Sequence, residues 1–463
     1  MALYHQMKKT KSLASQITGS FTREISAQNF PLKLMTILRP KDANVDTLFG
    51  LYRLKLLVLT IVFAGAIFSV EAQDKAEVGI NSEAFRQPVD SLAKEEFAPL
   101  DIEADRGLYI QTKDQKMQLR ILGSIRFLVL NDFVNIPIKK TFNSYFIPIG
   151  DDRVYVPNYY SDLAQTRFGF EVLRKINDRE LFTRLEMDFS GGTNNQFRIR
   201  HAYGKYNKFI IGQTWSLFSN VTALPTTVSA DGPTGSVILR TPQIRYFDSD
   251  KQGTRWAVAL EYSRPDLNLS QVDSSRTSVV QLVPDITARF EKEGRFGHWQ
   301  LSAVVNTLSV LDEENQITNV FGIGGSLTGT FDFPTSKILY QLTYGQSIAH
   351  YITTFSGTGN DATLNPTTGA IDPNWAFGGF LGYDYNWTDK ISSNIVLGYA
   401  SLENRDFQPE HAYADSYSLA INNFWKIVDG AKLGMEYTHA KRNNRGGQSG
   451  DAHRISFLFY YDF

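Results

Sequence analysis

The chemistry this sequence offers most plainly is carried by arginine. Arg167, Arg184, Arg198, Arg200, Arg245, Arg255 and Arg289 stand on segments whose alternate positions are apolar, Arg240 opens one of them where a loop ends, and all eight are expected to line one inner surface. A guanidinium keeps its charge at any working pH and can grip a carboxylate with two parallel N–H bonds. If the segments are strands, the first seven share their faces with Glu171, Glu186, Asp188, Glu261 and Asp285. Two readings are open. The arginines form a cation-rich surface that concentrates anions, or they merely pair with the acids beside them.

Other chemistry is poorly supported. The sequence has no cysteine, which excludes disulfides, thiolate metal sites and a cysteine nucleophile. Of the seven histidines, His201, His298, His439 and His453 fall on or near strand-like segments, none with a partner at motif spacing. No G-x-S-x-G, H-E-x-x-H or P-loop pattern occurs. Gly322, Gly324 and Gly325 mimic a phosphate loop, but no helix follows them. His411 with Glu410 and Asp415 offers a surface-metal reading, but a solvated loop explains these residues better. No catalytic residue, metal site or cofactor is therefore expected. A formal charge of −1 argues against a nucleic-acid partner.

The elements that must position the arginines follow from periodicity. Over 180–189, Leu181, Thr183, Leu185, Met187 and Phe189 alternate with Phe182, Arg184, Glu186 and Asp188. Over 255–262, Trp256, Val258, Leu260 and Tyr262 alternate with Arg255, Ala257, Ala259 and Glu261. A helix would break this pattern within one turn, whereas a strand with unlike faces requires it. Such segments occur at 116–129, 166–174, 180–189, 197–206, 208–215, 240–248, 254–263, 284–291, 298–307, 320–331, 337–345, 376–387, 390–402, 415–427, 430–440 and 453–463. Connections after even-numbered segments are short. The others, among them 130–165, 216–239, 264–283, 308–319, 346–375, 403–414 and 441–452, are mostly long.

Sixteen alternating strands with connections sorted by parity imply an all-β transmembrane antiparallel barrel, apolar outward and polar inward, with periplasmic turns facing extracellular loops. A soluble sandwich would point its apolar face inward. Aromatics cluster at segment ends (Tyr246, Phe247, Trp256, Tyr262, Trp299, Trp387, Tyr399, Trp425, Tyr437, Tyr460, Tyr461), as a headgroup-level girdle would require. Upstream, Arg53 and Lys55 precede an apolar run over 56–68, then Val70 and Ala72. That pattern reads as a signal peptide over 51–72, cut after Ala72; the run is too short for a membrane helix. Residues 1–50 read as an over-extended start, 73–115 as a polar periplasmic segment and 116–463 as the barrel, placing the protein in a bacterial, Gram-negative outer membrane.

The loop after the fifth segment, 216–239, contains Pro225, Gly232, Pro233 and Gly235, punctuation of a shaped loop. Its flanks are GQTWSLF at 212–218 and RTPQIRY at 240–246. Trp215 and Phe218 suit anchoring of the loop to the wall, or a stacking platform for a ring-shaped solute. With these flanks, this stretch resembles the DcaP-like family of trimeric outer-membrane channels, most strongly over 197–246. The resemblance implies a porin whose third loop folds inward as a constriction, a homotrimer, and passage of small anionic solutes such as dicarboxylates. It also implies that the terminal Phe463, on an alternating last strand with Phe457, Phe459 and Tyr461, is read by the barrel-assembly machinery. Members can carry an N-terminal coiled coil, and 73–106 show no sustained heptad, which leaves stabilisation by the barrel wall. A phosphate- or sugar-selective channel is the competing reading. A plugged receptor would need a folded domain before a larger barrel, and an adhesive barrel would pass no solute.

Overall fold

The computed structural model describes residues 106–463, apart from 193, 251–252, 268–277, 312–313 and 315. The expected start segment, the signal peptide and most of the periplasmic segment lie outside the described residues.

Sixteen strands form one closed antiparallel wall: β1 (Met117–Asp132), β2 (Arg167–Ile176), β3 (Arg179–Gly191), β4 (Gln196–Tyr206), β5 (Phe209–Trp215), β6 (Arg240–Ser249), β7 (Thr254–Glu261), β8 (Asp285–Gly294), β9 (Gly297–Leu311), β10 (Ile317–Asp332), β11 (Ser336–Gln346), β12 (Trp375–Thr388), β13 (Ile391–Leu402), β14 (Tyr413–Val428), β15 (Ala431–Asn444) and β16 (Ser449–Asp462). Each pairs with the next. The wall closes where β1 meets β16, with Leu128 opposite Leu458. Closure leaves no wall edge unpaired, which is what lets strands cross a bilayer.

Alternation fixes the faces. On β7, Trp256, Val258 and Leu260 are exposed while Ala257, Ala259 and Glu261 are buried. On β3, Arg184, Glu186 and Asp188 are buried. Apolar outside and polar inside is the reverse of a soluble core, and it matches a wall between lipid and an aqueous interior. Aromatic rings line both ends of the outer surface. Phe209 and Tyr246 (5.2 Å), Phe290 and Trp299 (5.5 Å) and Phe331 and Tyr340 (5.5 Å) meet near the short turns. Tyr344 and Trp375 (5.0 Å) and Phe377 and Tyr399 (5.9 Å) meet near the opposite rim. Two of the short turns reverse through Asn177 and Asn207 at φ 54° and 56°, a left-handed conformation that asparagine tolerates.

The structure departs from the sequence reading in three ways. β9, β10, β15 and β16 run further toward the long-loop rim than expected, so 308–319 and 441–452 shrink to short connections. Above the lipid a strand has no reason to keep an apolar outer face, and the alternation that marks it fades. Second, short strands at Leu108–Gln111 and Asn158–Asp162 pair with β1, the first of them from the expected periplasmic segment. Third, apolar clusters also exist on the inner side. Phe218, Val237, Ile348, Ile352 and Phe355 from connecting segments pack on Val304, Ala376 and Ala400 of the wall. Val134, Ile136, Phe142 and Ile147 pack on Ala440 and Ala452.

Candidate functional site

The site is built on the polar inner face of the wall. From β1 to β4 it carries a ladder of alternating charge. Arg120 bonds Glu171 at 3.1 Å, Glu171 is 3.5 Å from Arg184, and Arg184 bonds Glu186. Glu186 bonds Arg200 at 2.7 Å, Arg200 reaches Asp188 at 3.1 Å, and Asp188 bonds Arg198 at 2.6 Å. All but Arg198 are buried; the Arg198 side chain is 46% exposed at the ladder's end. Charges out of bulk water survive only when each has partners, and here each carboxylate is shared between neighbouring guanidinium groups.

Arg200 owes its place to a bulge. The β3–β4 register steps from Glu186 opposite His201 to Met187 opposite Ile199, so Arg200 is the extra residue of the step. The extra residue turns both Arg200 and His201 to the buried side, which strict alternation forbids.

The other expected arginines are dispersed. Arg167 is buried on β2, opposite Asp188 in register. Arg245 bonds Gln243 (2.9 Å) and the Trp215 carbonyl. Arg255 bonds Glu291 and, at 2.8 Å, Glu293, and Arg289 lies 3.9 Å from Glu291. Arg240 stacks its guanidinium 3.8 Å above the Trp215 ring. It sits opposite Trp215 in the β5–β6 register, out of step with Thr241, Gln243 and Arg245.

Segment 216–239 is tied to the buried polar face of strand after strand. Glu261 accepts from the Leu217 N–H at 2.9 Å, and from Thr241 and Thr287. Ser302 donates to the Leu217 carbonyl, Asn220 to Thr328, and Asn394 to the Thr226 carbonyl. Gln341 accepts from the Val237 N–H and donates to the Gly235 carbonyl at 3.0 Å. Glu436 accepts from the N–H groups of Val228 and Ser229. Loop backbone that has left water needs such partners. Phe218 is wholly buried and meets Tyr351 edge-on at 5.2 Å, an anchor. Pro225 lies against Gly382, Gly232 turns at φ 67°, and the Pro233 carbonyl accepts from Ser236.

One constellation had no signal in the sequence. His350 Nδ1 lies 2.9 Å from Asp361, and its Nε2 lies 3.1 Å from the Ser263 hydroxyl. The spacing resembles a hydrolase triad, but Ser263 donates its own proton to Asp285, which also accepts from Tyr351 at 2.7 Å. All five residues are buried. The hydroxyl is neither activated nor reachable, and the cluster ties connecting segments to β8. The residues come from stretches far apart in the chain, and no spacing rule joins them.

Burial alone would push His350 down, but the carboxylates of Asp361, then Asp285 and Asp266, override it and hold the imidazole above its ordinary value. The link is therefore at full strength below about pH 6.5, the value of a free imidazole, and fades as pH rises through the higher folded value. His350→Gln is expected to cost about 3 kcal/mol near pH 5 and clearly less near pH 9, because a buried charge partner is lost only where it is charged. Urea unfolding of refolded protein at the two pH values checks this; an equal loss at both would refute it.

The family described as "DcaP outer membrane protein" matches residues 109–463. No curated protein matches the chain. Among solved structures, the chain is similar to the outer membrane channel DcaP of Acinetobacter baumannii, at 20% identity and TM-score 0.67, covering 76% of this chain and 99% of that one. It is also similar to the anion-selective porin from Comamonas acidovorans, at 9% identity and TM-score 0.53, covering 75% of this chain and 100% of that one. At such identities the likeness of structure carries the fold, while the family match spans the whole wall and segment 216–239 with it. The chain belongs to the DcaP outer membrane protein family, and it is an outer-membrane channel of porin fold.

Proposed function

We propose that this channel passes small anionic solutes, dicarboxylate-like in chemistry, by passive diffusion through a passage that residues 216–239 narrow and arginines line. One observation carries the reading. In the ladder of β1–β4 four arginines, Arg120, Arg184, Arg198 and Arg200, share three carboxylates, Glu171, Glu186 and Asp188, and the ladder's exposed end is Arg198. Pairing thus consumes much of the positive charge and leaves a surplus. In a narrow, low-dielectric passage a surplus of one sign concentrates the opposite ion. The hydrogen bonds from 216–239 to inner-face side chains of β9, β10, β11, β13 and β15 support its role as the constriction.

The functional unit in this reading is a homotrimer with a pore in each protomer, exported by a signal peptide cut after Ala72. Phe463 is the assembly signal. Its backbone exchanges both hydrogen bonds with Gly123, and its ring covers that glycine, where a Cβ would clash. Reversal potentials in planar bilayers under a potassium chloride gradient test the reading. Chloride preference is expected, with conductance in three equal steps that a dicarboxylate reduces. Cation preference overturns it, and block by phosphate or sugar but not by diacid points to the competing specificity.

A further inference from the structure

A second feature lies on the opposite side of the wall and is independent of permeation. On β15, Met435, Tyr437, His439 and Lys441 occupy the outer face, alternating with buried Glu436, Thr438 and Ala440. On β16, Asp451, His453, Ile455 and Phe457 do the same against Ala452, Arg454 and Ser456. His439 stands directly opposite His453 in the register, and Asp451 is the next outer-face residue along β16. The imidazole centroids are 4.6 Å apart, and one ligand atom from each of the three residues lies within 4.8 Å of the others. Among the described residues this is the cluster whose ligand atoms converge in this way; His411, with its acidic neighbours, is not part of it.

The rings are also oriented. Tyr437 Oη lies 2.7 Å from His453 Nδ1, which leaves His453 Nε2 facing Asp451 at 3.4 Å. A metal-binding imidazole characteristically donates its second N–H to an outer partner that fixes the ring, and Tyr437 is placed to accept it. Polar side chains on the outer face of a barrel wall cost stability, so three that converge call for a reason. Two imidazoles and one carboxylate suit a first-row divalent ion, zinc above all, in a tetrahedral site with three protein ligands and one open position. Metal–ligand distances of about 2.0–2.2 Å need donors about 3.3 Å apart, a closure within reach of side-chain rotation on rigid strands. One group competes: Arg153 Nη2 holds Asp451 Oδ2 at 2.7 Å.

We propose that His439, His453 and Asp451 form a divalent transition-metal site on the outer surface of the barrel, near the rim opposite the short turns, with Arg153 as a built-in competitor for the carboxylate. The fourth position opens outward, to water or to a ligand on the membrane side.

The test uses the full, untagged, refolded chain in detergent, titrated with zinc by calorimetry and with cobalt as a spectroscopic probe. One equivalent per chain is expected, with the visible absorption of tetrahedral cobalt. His439→Ala and His453→Ala should each weaken binding more than tenfold, and Tyr437→Phe about tenfold, the usual cost of losing an outer-sphere partner. Arg153→Gln should tighten binding several-fold, a gain that random surface binding would not show. Retention of the heat-modifiable gel shift shows that each variant folds. No saturable binding by the folded wild type, or unchanged binding by the folded His439→Ala/His453→Ala double variant, overturns the proposal.

Discussion

Glu186→Gln is expected to cost the barrel about 3–5 kcal/mol while shifting its selectivity toward anions. Glu186 is buried and holds Arg184 on its own strand and Arg200 at 2.7 Å from the bulge in β4. Neutralising it leaves two guanidinium groups out of bulk water with one shared charge fewer, and breaking a buried pair from one side costs about this much. Asp188 and Glu171 remain within the ladder and cap the loss. The same substitution adds one net positive charge to the inner face, so chloride selectivity should rise as stability falls. Equilibrium urea unfolding reads the first effect and reversal potential the second. A variant as stable as wild type would mean that the ladder is solvated and of little consequence. A selectivity that moves toward cations would contradict the arginine-lined passage.

The second large effect is expected at three glycines where loop and wall touch through their backbones. Gly235 has φ 82°, and a Cβ there would overlap the Tyr399 carbonyl oxygen and come within 2.6 Å of the Gly379 nitrogen. From the wall side, a Cβ on Gly378 would sit 2.5 Å from the Gly235 carbonyl oxygen, and one on Gly398 would overlap that of Thr234. No side chain fits between these chains, and a branched residue at positive φ adds strain of its own. Gly235→Val should force segment 216–239 off β12 and β13. Its bonds to Gln341 and to Thr354, the latter 2.9 Å from the Gly235 nitrogen, would go with it. A loss of about 2–4 kcal/mol is expected from overpacking and backbone strain. The readouts are faster proteolysis within 216–239 and altered, noisier single-channel conductance. Gly398→Leu, made from the other side, should reproduce both. Wild-type conductance and protease resistance in both variants would refute the contact.

The strands were legible because a membrane wall imposes its rule locally. Trp256, Val258 and Leu260 must meet lipid and Arg255 and Glu261 must not, so each strand writes the two-residue period into its own sequence. Where lipid ends, the signal ends. The pattern predicts loop over 441–452, yet the structure continues β15 through 441–444 and β16 through 449–452. Parity also placed most arginines on the inner face, but it could not foresee the bulge that turns Arg200 and His201 the same way. Nor did it place Arg240, which stacks on Trp215 out of step with its inner-face neighbours.

By itself, then, the sequence determined the class of wall, its strand number and which face most wall residues show, because alternation is a property of neighbours along the chain. Partnership was decided only by the tertiary structure. That Arg184 shares Glu186 with Arg200, that His350 finds Asp361 and Ser263, that Gly235 lies against Gly379, and that His439 faces His453 all depend on strand register and on where the connecting segments come to rest. Such meetings join residues distant along the chain, and a periodic pattern carries no information about which of them closure brings together.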